Sequence, residues 1–160
     1  MNWAHVHLLV NHVPILGYAA AAALALTALL GRDAQVWVRG AIVAIALSFA
    51  AMAVAFFSGS PALDVISGQP RTSARALSEH HVRAIYGSVA GVVTGVLAAA
   101  AAVVAHRRGG AVSRPLVAAV FVASLVAAGA LGWTGLAGGR INHPEVQESG
   151  DREGGPARPH

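Results

Sequence analysis

Four stretches of the chain carry no Asp, Glu, Lys or Arg: residues 1–31, 40–63, 84–105 and 115–139. A helix rises 1.5 Å per residue, so about 20 apolar residues cross the roughly 30 Å hydrocarbon core of a bilayer. Each run reaches that length, and the pattern predicts an all-α polytopic membrane protein with four transmembrane helices. The first helix is expected over about 13–30. Pro14 falls in its opening turn, where the missing N–H has no carbonyl to serve. The apolar stretch before it, 2–10, is interrupted by His5 and His7 and reads as a helical extension bent at Pro14. A turn at Gly31-Arg32-Asp33 leads to the second helix, 36–57. Residues 58–79, rich in Ser, Gly and Pro, read as a longer connection. The third helix is expected from His80 to about 105 and the fourth from Pro115 to about 136. Residues 1–142 then form one bundle. Residues 143–160, rich in Gly, Pro and charge, read as a disordered tail.

Short connections between the first two and the last two helices imply antiparallel neighbours, giving an up-down-up-down four-helix bundle. Gly87, Gly91 and Gly95 recur at four-residue spacing on the third helix, a face on which backbones approach closely. That face is a candidate contact for a redox or assembly partner in the membrane. Gly129, Gly132 and an interfacial Trp133 mark the fourth helix.

Composition sharpens the class. Hydrophobic residues make up 56% of the 160 and charged residues 11%, against about 25% charged in ordinary soluble domains. All eleven bases are arginine. They are too scattered for a nucleic-acid patch. With no cysteine, disulfides, thiolate zinc sites, cysteine-held iron–sulfur clusters and c-type haem are excluded. The first run lacks a basic n-region and is too long for a signal peptide, so it reads as retained. Arg32, Arg39, Arg107, Arg108 and Arg114 crowd the two short loops, with Asp33 the single acid there. Arginine density in short loops marks the cytoplasmic side. This places the chain in a bacterial inner membrane with both termini outside.

Histidine carries the candidate chemistry. The topology brings His5, His7, His12, His80, His81 and His143 to one membrane face and leaves His106 at the other. Ligand-capable side chains at membrane depth are costly to bury and point to function. His5 and His12, seven residues apart, would sit about 10 Å apart on a continuous helix. The first and third helices run in the same direction, so His12 and His80 or His81 can face each other across the interior and ligate a haem iron. Arg83 and Arg140 are then candidates for the haem propionates, and Tyr18 and Tyr86 for hydrogen bonds at the pocket edge. A second reading is a divalent copper or zinc ion held by His5, His7 and His12 with His80, His81 or His143. A third treats several of these histidines as interfacial residues with wet nitrogens and buried rings, in a cofactor-free assembly subunit. No nucleophile–base pair is visible, so a non-catalytic electron-transfer or structural role is expected over an enzyme.

The opening Asn2-Trp3-Ala4-His5-Val6-His7-Leu8-Leu9-Val10-Asn11-His12-Val13-Pro14-Ile15-Leu16-Gly17 resembles that of a group of small, uncharacterised bacterial four-helix membrane proteins. Three further marks are similar to that group. Ser58-Gly59-Ser60-Pro61-Ala62-Leu63 resembles its Thr-Gly-x-x-Ala-Glu element, and His80-His81 its His-Glu pair opening the third helix. Gly138-Gly139-Arg140-Ile141-Asn142-His143-Pro144-Glu145 resembles its C-terminal motif. The resemblance runs to about residue 145. Related domains occur with Rieske and cytochrome components, so it implies a redox, haem-binding membrane role, with His12, His80 and His143 as functional positions. The chain departs from the pattern at Leu63 and His81, where the group has Glu, and at Asn142, where Arg is usual. Loss of two carboxylates weakens a carboxylate-bridged metal site more than a bis-histidine haem.

Overall fold

The structure, a computed structural model, describes residues 2–31, 33–66, 72 and 74–141. The proposed tail and His143 lie outside the described residues. Five helices run in order: α1 (Trp3–Val10), α2 (Val13–Leu30), α3 (Ala34–Ile66), α4 (Ala74–Arg107) and α5 (Arg114–Ile141). By length and composition, four spans can cross a membrane: α1 and α2 together, α3, α4 and α5. The protein is an all-α four-helix bundle of alternating direction. Helix α2 packs on α3 and α5, and α4 on α5 and α3, while α1 lies against α3.

Helices α2 to α5 each bury one narrow stripe, largely at three- and four-residue spacing, the period of a helix facing its neighbours. On α2 the stripe is Pro14, Tyr18, Ala21, Ala22, Ala25 and Ala28. On α5 it is Val117, Val120, Ser124, Ala127, Leu131, Thr134, Ala137 and Ile141. Small side chains dominate, so the helix axes approach closely. Leu16, Leu30, Leu47, Phe57, Val96 and Leu136 stay exposed on the outer faces. That is the surface expected against lipid, where apolar side chains need no burial in protein.

The glycines of α4 face inward. A Cβ at Gly91 would run into Met52 Sδ and stand 3.0 Å from the Tyr18 hydroxyl. One at Gly87 would stand 2.8 Å from Leu131 Cδ2, and one at Gly95 3.2 Å from the Phe49 ring. Tyr18 uses this space: fully buried, it donates its hydroxyl to the Gly91 carbonyl at 3.3 Å. The Gly87/Gly91/Gly95 face is therefore consumed within the bundle and is not the outward partner surface that its spacing suggested. Tyr18 is at the centre of the bundle and Tyr86 is exposed, so neither takes the pocket-edge position expected from sequence. Thr94 sits with its hydroxyl 2.8 Å from Ala90 O and 3.0 Å from Ala123 O, joining α4 to α5.

The polar ends of the helices depart from the sequence reading. Helix α3 continues through Ser58-Gly59-Ser60-Pro61 to Ile66, where a loop was expected. Pro61 has no N–H for a helix carbonyl, but Ser58 and Ala62 are buried there, and packing outweighs local propensity. Helix α4 begins at Ala74, six residues before His80. Its first turns carry Arg75, Glu79 and Arg83, with Glu79 Oε1 and Oε2 each 3.2 Å from an arginine nitrogen, the i,i+4 pairs that support a solvated helix. Helix α5 likewise extends to Ile141. The chain leaves α4 through Gly109 and Gly110, with φ of 62° and 100°, a left-handed exit that side chains resist. Arg114 closes this end by donating to Leu29 O at 2.7 Å.

Candidate functional site

The histidines gather where α2 and α4 begin and α3 and α5 end. Asn2 caps α1, its side chain accepting from His5 N at 3.1 Å and lying 2.6 Å from His5 Nδ1. Pro14 denies Val10 a helical hydrogen bond, so α1 ends at Val10, yet Asn11 and His12 keep right-handed helical dihedrals. At 100° per residue His7 then lies about 140° around the axis from His12. His5 is exposed and local, His7 is directed into the bundle and His12 is exposed at the head of α2.

His7 and His80 form the pair that the structure brings together, with ring centroids 6.3 Å apart and planes at 82°. His7 Nδ1 is 2.9 Å from Ala55 O and 3.2 Å from Ser58 Oγ. His80 Nδ1 is 3.0 Å from Thr134 O. A carbonyl only accepts, so both Nδ1 atoms carry the proton and donate, which leaves Nε2 as the acceptor nitrogen in each neutral ring. Such an Nδ1–H bond to a main-chain carbonyl commonly fixes the tautomer of a ligating histidine. A glycine seats the His80 ring: a Cβ at Gly138 would stand 3.1 Å from His80 Nδ1, whereas one at Gly59 would meet His7 Cε1 at an ordinary 3.7 Å.

Arg83, one turn beyond His80, is held from two sides. Its guanidinium is 3.2 Å from Glu79 Oε2, and its Cζ lies 4.4 Å from the Trp133 ring centre, within cation–π range. A third contact reaches Trp133 O at 3.5 Å. Glu79 and Trp133 thus fix the position of the guanidinium that spacing offered to a propionate.

His12 does not meet His80. It lines a separate open groove between α2 and α5, with Ile15, Gly132, Gly135, Leu136, Gly139 and Arg140. His81 is exposed on the outer side of α4, and His106 lies at the opposite end. Among the described residues no three of His, Cys, Asp or Glu assemble as a metal-binding group. Of the histidines expected to hold copper or zinc, the structure brings His7 and His80 together, and His143 lies outside the described residues. Comparison of the chain with protein families, curated proteins and solved structures finds no match.

His7 was only a secondary metal candidate by spacing. The signal that could have promoted it is helical phase, since five residues at 100° each set His7 about 140° around the axis from His12.

Proposed function

We propose that this integral membrane protein holds a b-type haem through paired histidines at the outer end of its bundle and exchanges single electrons with a membrane redox partner. The observation that carries the reading is the His7–His80 pair, with both Nδ1–H groups anchored on main-chain carbonyls and both Nε2 atoms left as acceptors. The two rings stand 6.3 Å apart, centre to centre, and each keeps an acceptor nitrogen of the kind that binds a metal. His7 and His80 would hold the iron, replacing the His12–His80 pairing favoured by spacing. When bound, the haem supplies reversible one-electron exchange at its iron, with a potential set by its axial ligands and their burial.

The chain's own residues orient and tune the site. Ala55 O and Thr134 O fix the tautomers, Gly138 admits the His80 ring, and the clamped Arg83 supplies positive charge one turn away. The arginine-dense loops lie at the other end, and the positive-inside rule then supports an outward-facing histidine end in a bacterial inner membrane.

Detergent-purified protein, expressed with ample haem, should show a Soret band that shifts on dithionite reduction. His7→Ala and His80→Ala should each abolish it, while His106→Ala retains it. A colourless wild-type protein, or a full haem complement in both single variants, overturns the reading. Loss in His12→Ala with retention in His7→Ala restores the original pairing. A second reading is a cofactor-free bundle in which the two imidazoles act only as cross-helix hydrogen bonds, favoured by the fact that both Nδ1 groups already reach neighbouring helices. Elemental analysis of the colourless protein separates that reading from a histidine-bound copper or zinc ion.

A further inference from the structure

The groove between α2 and α5 opens past the exposed Leu136 onto the lipid-facing side of the bundle. Its volume is about 490 Å³, within the range of small-molecule sites. Gly132, Gly135 and Gly139 form its floor, and Ile15 and Leu136 its apolar walls. A Cβ at Gly132 or Gly139 would meet nothing within 4 Å, and one at Gly135 would touch only Ile15 Cδ1 at 3.4 Å. Packing within the bundle therefore does not account for the bare floor. Two polar side chains reach the lining, His12 and Arg140. Arg140 already has an interaction of its own. His12 does not cap α2, and no hydrogen bond among the described residues holds its ring. The groove thus presents one imidazole at the end of a flat apolar trough, with no carboxylate in the lining.

The trough also borders the His7–His80 pair. Thr134 O accepts from His80 Nδ1, and Gly138 seats the His80 ring. Gly135 and Gly139 each follow one of these residues, about 100° further around α5, and both line the groove. A molecule laid on them shares two turns of α5 with His80. An electron carrier that reaches this place from the lipid is neutral, flat and apolar, with polar atoms only at its ring. Quinones have that chemistry. A single imidazole serves both of their redox forms: its N–H donates to a quinone carbonyl, and its bare nitrogen accepts from a quinol hydroxyl.

We propose that the α2–α5 groove binds one membrane quinone, its ring over Gly135 and Gly139, one ring oxygen against His12 and its tail passing Leu136 into the lipid. The role of this ligand as redox partner rests on the haem reading. Its binding does not, since none of the groove residues is assigned to the iron.

The test is uptake of radiolabelled decylubiquinone by the purified full chain in phosphatidylcholine nanodiscs, measured above empty nanodiscs, with the Soret band of each sample recorded beside it. Wild-type uptake should saturate at one per chain. His12→Phe keeps a ring but loses the hydrogen bond and should weaken binding roughly tenfold. Gly139→Leu, which fills the trough without a clash inside the bundle, should abolish it. No uptake above empty nanodiscs, or an unchanged affinity in both variants, overturns the site even where the Soret band is present. Saturable uptake by a colourless wild type upholds the site and overturns the haem reading instead. Displacement of the quinone by phosphatidylglycerol makes the groove a headgroup site and overturns the proposal. So does a wild-type dimer that Gly139→Leu dissociates, because the trough then seats a second copy. Circular dichroism of both variants confirms that they fold.

Discussion

At the scale of single residues, the two glycine sets of this chain make opposite predictions. Gly91→Ala places a methyl against Met52 and Tyr18, and overpacking of this kind costs about 1–3 kcal/mol. Its thermal midpoint in detergent should fall. Gly129→Ala meets open space, and exchanging glycine for alanine in a helix gains up to about 1 kcal/mol. Its midpoint should stay or rise, and a fall as large as that of Gly91→Ala would contradict the packing described. Tyr18→Phe removes the hydroxyl bond to Gly91 O and should cost about 1 kcal/mol, read from the same transition. The close approach at Gly87, Gly91 and Gly95 was legible in their spacing, but its direction was not, since the same stripe also suited a partner outside the bundle. Spacing says that a face is smooth. It does not say which way the face turns.

At the scale of elements, the apolar cores of the four spans were legible and their polar ends were not. A run without charge is a statement about solvent, which the sequence carries directly. The end of a helix is a competition between local propensity and whatever packs beside it. Ser58-Gly59-Ser60-Pro61 has the composition of a loop, yet His7 of α1 lies on this part of α3 and Ser58 and Ala62 are buried. The start of α4 was hidden because its support comes from the charged Arg75–Glu79–Arg83 row and not from apolar periodicity. The packing of α1 on α3 is the element-level feature that holds His7 at Ala55. Proton NMR of ring-labelled histidine should therefore keep the hydrogen-bonded Nδ1–H signals of both His7 and His80 in Pro14→Ala. Loss of the His7 signal alone would show that the α1–α2 junction positions it.

At the scale of the whole molecule, the convergence of histidines on one end was readable from topology alone, because alternating spans must return the same loops to the same face. The choice of partners was not readable, since it rests on which face each span turns towards its neighbours. The proposed orientation can be tested without background, because the chain contains no cysteine. Ser78→Cys, on the exposed first part of α4, should react with a membrane-impermeant maleimide in intact cells. Ser113→Cys, in the turn before α5, should react only after permeabilisation. The reverse pattern would invert the bundle.

His7 and His80 also lie on opposite sides of the chain's midpoint. One belongs to the α1–α2–α3 half and the other to the α4–α5 half, and Ala55 O and Thr134 O, their two anchors, divide the same way. Each half therefore carries one imidazole already locked in its tautomer, and neither carries a pair. Cut between Ile66 and Ala74 and produced as two polypeptides, the protein would be a two-key lock. Any property that needs both rings would report, by its presence alone, that the halves had found each other in the bilayer.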